Sequence, residues 1–159
     1  MSSSTATALD RLRAEEDELV LDGFTRDDAW ALGSRLRAAA VTRGFGLSIG
    51  VVLGRQRVFH CALDGATPDN DAWLERKIAV VLHYQRSSLA VAEQFAARGW
   101  SFEAESRLPA DDYAARGGAF PVRVRGTGVV GALGVSGLPH VEDHAFVVEQ
   151  LRAFLAEVS

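Results

Sequence analysis

Apolar residues recur along this chain with two different periods, and the switches between them outline its elements. From Thr7 to Val20, Leu9, Leu12, Leu19 and Val20 fall at roughly helical spacing among acids, which predicts an amphipathic first helix behind a disordered tail of residues 1–6. Thr25-Arg26-Asp27-Asp28 is a capping-box pattern, with a hydroxyl and a carboxylate to satisfy the free amides of a helix start. A second helix follows, with Ala29, Leu32, Leu36, Ala39 and Ala40 as its apolar stripe and Gly44 and Gly46 as its stop. The period then changes to two. Leu47, Ile49, Val51 and Leu53 alternate as in a half-buried strand, Gly54-Arg55 turns the chain, and Gln56 to Leu63 returns as a second strand.

Thr67-Pro68-Asp69-Asn70-Asp71 reads as another helix start, with a hydroxyl cap, proline at the first position and acids facing the dipole. No glycine or proline interrupts 71–98, but Ser87-Ser88 carries good capping residues and predicts a break there; Gly99 ends the second piece. Pro109 to Tyr113 reads as a short helical turn before Gly117-Gly118. Phe120, Val122 and Val124 alternate, and Pro121 places that strand at an edge or a strand start. The run Val129 to Val135 is apolar on both faces and belongs at the centre of a sheet, where Gly131 and Gly134 leave room for another backbone or a ligand. Val141, Ala145, Val148, Leu151 and Leu155 line one side of a last helix. Tight turns inside each strand pair favour antiparallel pairing. The expectation is an α+β fold, a central antiparallel sheet flanked by helices.

Composition narrows the class. The 159 residues, 48% apolar and 24% charged, suit one core, so 7–159 is expected to form a single domain. No apolar run could span a bilayer, and Met-Ser-Ser-Ser-Thr lacks the basic and apolar regions of a signal peptide, so a cytoplasmic protein without membrane partners is expected. A net charge of −4 with scattered arginines, Arg123 and Arg125 being the strand-spaced pair, argues against nucleic acid. One cysteine, Cys61, excludes an internal disulfide and reads as a packing thiol.

Several groups could carry chemistry. Gly126-Thr127-Gly128-Val129-Val130-Gly131 matches a dinucleotide fingerprint letter for letter, but it joins two strands and so reads as a hairpin turn. His140 and His144 stand four apart with Glu142 and Asp143 between them, a spacing that lets two imidazoles share a metal, although acids at a helix start also simply suit the dipole. His144 oriented by Asp143 would make an acid–base pair. His83, beside Tyr84, is either a packing residue or a ligand, and His60 in its strand has the same two readings. Asn70, Trp73 and Lys77 share a helical face near Arg76. That cluster is either a solvated face paired through Glu75 or a site where Lys77 and Arg76 meet carboxylates or phosphates.

A further set of segments has a common likeness. Gly65-Ala66-Thr67-Pro68-Asp69-Asn70 with Trp73, Arg76-Lys77 and Ser87-Ser88 belongs to it, with Gly117 to Pro121, Gly128 to Gly131, Val135 to Pro139 and Asp143-His144. In that order and spacing, from about Asp22 to Leu155, they resemble the haem-degrading-domain superfamily of GlcG-like and HbpS-like proteins, in a branch carrying G-x-T-P-D-N-x-x-W. The resemblance implies a profilin-like fold, assembly into dimers or larger rings, and haem binding in some relatives. The matching positions expected to line a pocket are Asn70, Trp73, Lys77, Gly117, Gly118, Asp143 and His144.

Three readings follow. One is a small-molecule binding module for haem or another tetrapyrrole, acting as a homo-oligomer, with His83 or His144 as axial ligand and Arg76 or Lys77 for the propionates. A second is an enzyme on a small anionic substrate using Asp143 and His144. A third is a structural oligomer with no ligand.

Overall fold

In the computed structural model, which describes residues 2–158 with side chains from Thr7 onward, six helices accompany one five-stranded sheet. They follow the chain as α1 (Ser2–Glu18), β1 (Val20–Leu21), α2 (Arg26–Arg43), β2 (Ser48–Leu53), β3 (Gln56–Ala62), α3 (Pro68–Tyr84), α4 (Ser88–Ala97), α5 (Phe102–Glu105), β4 (Ala119–Val124), β5 (Gly128–Ser136) and α6 (His140–Val158). Of the expected tail, Met1 and the side chains of residues 2–6 lie outside the described residues. No helix among the described residues is long and apolar enough to cross a membrane.

The sheet order is β1-β4-β5-β2-β3. All three pairings among β2, β3, β4 and β5 are antiparallel, as the tight turns imply, and β5 is central. Two elements go beyond the expectation: β1, two residues that pair parallel to β4 at Arg123 and Val124, and the single helical turn of α5. Gly126-Thr127-Gly128 is the turn between β4 and β5, with Thr127 N–H on the Val124 carbonyl at 3.0 Å. The fingerprint-like glycines therefore serve a hairpin.

Alternation along the strands sends two sets of side chains to opposite faces. Ile49, Val51, Phe59, Phe120, Val122, Leu133 and Val135 meet α2 and α6 in the main core. The other face carries Val52, Ala119 and Ala132, which pack with Leu74, Ile78 and Val81 of α3. Small residues let α3 lie close. A Cβ on Gly134 would press on Leu74 and on the Gly118 carbonyl, and one on Gly131 would strike the Val52 carbonyl. The room left by Gly131 and Gly134 is thus taken by neighbouring protein and not by a ligand.

Local chemistry places the ends of α3 and α4. Asn70 Oδ1 accepts from the Thr67 N–H at 2.8 Å, and the αL residue Gln85 (φ 58°) closes α3. Ser87 caps α4 where the sequence predicts the break. Pro121 also keeps its expected place. Ala119, two residues before it, turns its N–H and carbonyl to the Ser88 hydroxyl (3.0 and 3.3 Å). Alternation therefore points the missing N–H of Pro121 to the same outer side, beyond the end of β1.

Candidate functional site

α3 carries a different cleft on each of two faces, and the segment after α5 closes both. The Ala114 N–H bonds the Arg76 carbonyl at 3.2 Å, which fixes 113–116 against the helix. Tyr113 then lines one cleft and Arg116 the other.

The first cleft, of about 460 Å³, lies between the β2–β3 hairpin and α3. Val52, Ile78, Ala79 and Leu82 give it apolar walls, and Arg55, Arg57, Glu75, His83 and Tyr113 complete it. His83 is exposed, with its ring edge-on to Tyr84 and Tyr113 at centroid distances of 4.8 and 5.8 Å. Arg57 reaches this face because of a register shift between Val51 and Val52, which pairs Phe59 with Val51 but Arg57 with Val52. The bulged residue, Val58, reverses the side on which Arg57 emerges. Phe59 enters the main core while Arg57 crosses Gly50 and pairs with Glu75. Desolvation holds the Arg57 pKa below its usual value, partly offset by Asp71. Its Nη1 is buried with no hydrogen-bond partner.

The second cleft, about 310 Å³, is more polar. Asp69, Asn70, Trp73 and Lys77 of α3 face Arg116, the loop from Ser136 to Pro139, and His140 and Asp143 of α6. Asn70, Trp73, Lys77 and Asp143 therefore converge as the sequence suggests. What Lys77 does there differs from the expectation. Its ammonium is buried and donates to the Gly117 carbonyl (3.1 Å), the Val135 carbonyl (2.7 Å) and Asp143 Oδ2 (3.2 Å). Three donors meet three protein acceptors, so Lys77 has none left for a ligand. Burial pushes its pKa down, against the pull of Asp143, and pushes the Asp143 carboxyl up, against the pull of Lys77. Asp143 also accepts from the Gly137 and Leu138 amides.

The remaining candidates fall elsewhere. Arg76 lies over the Trp73 ring at 4.5 Å and bonds the Ala72 carbonyl. Gly117 and Gly118 serve close packing: a Cβ on the first would strike the His140 carbonyl, and on the second, at φ 134°, Lys77 Nζ. His140 Nδ1 accepts the Gly117 N–H at 3.0 Å, whereas His144 Nε2 meets Glu15 of α1 at 2.8 Å. The two imidazoles thus have separate partners and do not form a metal pair. No group of three His, Cys, Asp or Glu residues that could hold a metal occurs among the described residues. Nor does Asp143 orient His144, since its oxygens are committed to Lys77 and the loop, so the proposed acid–base pair does not assemble. His60 meets Asp71 at 3.1 Å. Cys61 is half-buried, and desolvation raises its thiol pKa, which suits packing.

Arg55, Arg57, Tyr113 and Arg116 were missed by sequence reasoning. The signal for Arg116 was its place beside Gly117-Gly118, a glycine pair that marks a tightly packed loop. Arg57 gave no such signal, because the bulge that turns it inward is not visible in an alternating pattern.

Residues 24–152 match a family model described as haem degrading protein HbpS-like. A UPF0303 protein of Streptomyces coelicolor is 50% identical over 156 residues, covering 98% of this chain and 99% of its own. One from Edwardsiella ictaluri is 44% identical over 152 residues, covering 96% and 97%. Among solved structures, the Ybr137w protein superposes with a TM-score of 0.87 at 28% identity, covering 94% of this chain and 88% of that one. A double mutant of Streptomyces reticuli HbpS gives 0.66 at 21% identity, covering 86% and 87%. A PduOC:haem complex gives 0.69 at 15% identity, covering 83% and 94%. The last two share the fold of this chain.

Proposed function

Because the chain belongs to the HbpS-like haem-degrading protein family, we propose that it is a small-molecule binding module whose ligand is haem or a related tetrapyrrole, held in the cleft that His83 lines. The observation that carries this reading is the company the imidazole keeps. Val52, Ile78, Ala79 and Leu82 offer apolar surface to a macrocycle, and Arg55 and Arg57 line the same cleft. An apolar wall, an exposed imidazole and two guanidinium groups are the three things an amphiphilic porphyrin dicarboxylate needs. Arg57 brings its guanidinium to this cleft beside Glu75, and the cleft falls within the usual range of small-molecule sites, roughly 300–1,000 Å³. Bound haem would supply an iron centre for ligand binding or electron transfer. The chain's own part is to ligate through His83, cover one macrocycle face and neutralise the propionates with Arg55 and Arg57, in place of Arg76 and Lys77. The fold shared with a haem-bound PduOC structure supports the reading. It includes self-association, which light scattering would measure; among the described residues Trp30, 65% exposed on α2, is the large apolar side chain most open to a second copy.

The test is a haemin titration of the full chain followed by absorbance. A saturable Soret shift at one haemin per chain is expected, with binding at least about tenfold weaker in His83→Ala, a substitution at an exposed position. A drifting, nonsaturating change, or an unaltered titration in His83→Ala, would overturn it.

A further inference from the structure

The second cleft shares no residue with the first, and its chemistry calls for a different guest. We propose that it binds a small organic carboxylate with a flat apolar body, gripped at its charged end by Arg116.

The argument rests on which groups are still available. The buried Lys77–Asp143 pair forms part of the cleft lining, but all three Lys77 donors and three acceptor sites of Asp143 are used within the protein. It therefore offers a neutral, rigid surface and not a free charge. The groups that remain are donors. Arg116 is exposed and takes part in none of the ion pairs among the described residues. Because His140 Nδ1 accepts the Gly117 N–H, its ring carries its proton on Nε2 and is a donor. Asn70 spends its carbonyl oxygen on Thr67 and keeps its NH₂, and Ser136 adds a hydroxyl. Against these donors stands one carboxylate not already bound, the exposed Asp69.

That imbalance selects an anion, and Asp69 selects which kind. A compact, multiply charged oxoanion would gain from Arg116 but meet Asp69 as well. A molecule with one charged end and a neutral body can place its charge on the guanidinium and its body along Trp73, Leu138 and Pro139. The indole is held for this purpose by Arg76 at 4.5 Å. At about 310 Å³ the cleft is the smaller of the two and suits a single small ring system, which sets this site apart from the tetrapyrrole reading.

Benzoate is the probe, titrated into the isotopically labelled full chain and followed by amide and indole NMR. Saturable shifts confined to the Trp73 indole and the amides of Gly117, Gly137 and Leu138 are expected. Benzamide, the same shape without the charge, should bind at least about tenfold more weakly, and inorganic phosphate likewise. Arg116→Gln should lose about tenfold or more in benzoate affinity with an otherwise unchanged spectrum, and its haemin titration should match that of the unaltered chain. The proposal is overturned if benzoate produces no localised shifts, if benzamide or phosphate binds as well, or if Arg116→Gln binds benzoate normally.

Discussion

Lys77 and Asp143, sixty-six positions apart, meet at 3.2 Å with side chains only 3% and 2% exposed. Their contacts join α3, the 117–118 loop, the end of β5 and the first turn of α6. Burial disfavours both charges, and each is retained because the other and the surrounding carbonyls and amides compensate. Breaking such a pair from one side leaves the remaining charge stranded. Lys77→Met should therefore cost about 3–5 kcal/mol in urea unfolding, whereas Lys77→Met with Asp143→Leu should recover much of that loss. A single mutant as stable as the parent would show that the pair is not a structural latch.

His140 gives the molecule an acid limit. Burial first, then the charges of Arg116 and Lys77, hold its pKa below the ordinary 6.5. The unfolded chain thus takes up the proton before the folded one does, so the His140 contribution is complete above pH 6.5 and is lost as pH falls through the folded pKa. Protonation at Nδ1 also breaks the bond from Gly117. NMR titration should place the imidazole midpoint below 6.5, and Arg116→Gln should move it upward. A midpoint above 6.5 would contradict this assignment.

At the outer edge of β4, Ser88 stands in for a missing strand. Its buried hydroxyl accepts the Ala119 N–H and donates to the Ala119 carbonyl. Ser88→Ala leaves both groups without a partner and should cost about 1–3 kcal/mol. Amide exchange at Ala119 should accelerate more than at Leu133 in the central strand, and equal protection of Ala119 in both proteins would rule the role out.

These relationships mark where the sequence could be read and where it could not. Periodicity and caps located both hairpins, the Thr67-Pro68 start of α3, the Ser87 break and the central position of β5, because each is written in neighbouring residues. β1 was hidden, since two residues cannot display a period, and Leu19, Val20 and Leu21 look like one more turn of an apolar stripe. Helical spacing correctly grouped Asn70, Trp73 and Lys77 on one face. Whether Lys77 ends in solvent or in a buried pair depends on a residue in α6, and no local pattern carries that. Asp143 and His144 misled for the opposite reason. Adjacent positions on a helix point about 100° apart, so sequence neighbours serve different partners, here Lys77 and Glu15.

The bulge at Val58 makes the last prediction specific to the first cleft. Arg57 crosses the sheet over Gly50, where a Cβ would collide with its Nη1 and press on Leu74. Gly50 lies in the interior of β2 at an extended position, so added bulk and not backbone strain is what Gly50→Ala introduces. The far end of an arginine can yield more readily than a packed leucine, so the cost should be modest, about 1–3 kcal/mol in chemical unfolding. The larger effect should fall on the ligand, because a displaced Arg57 no longer faces the cleft that His83 lines. Haemin affinity should drop by about the same factor in Gly50→Ala as in Arg57→Ala, with no further loss when the two are combined. Additive losses would mean that Gly50 acts on the cleft by some route other than Arg57.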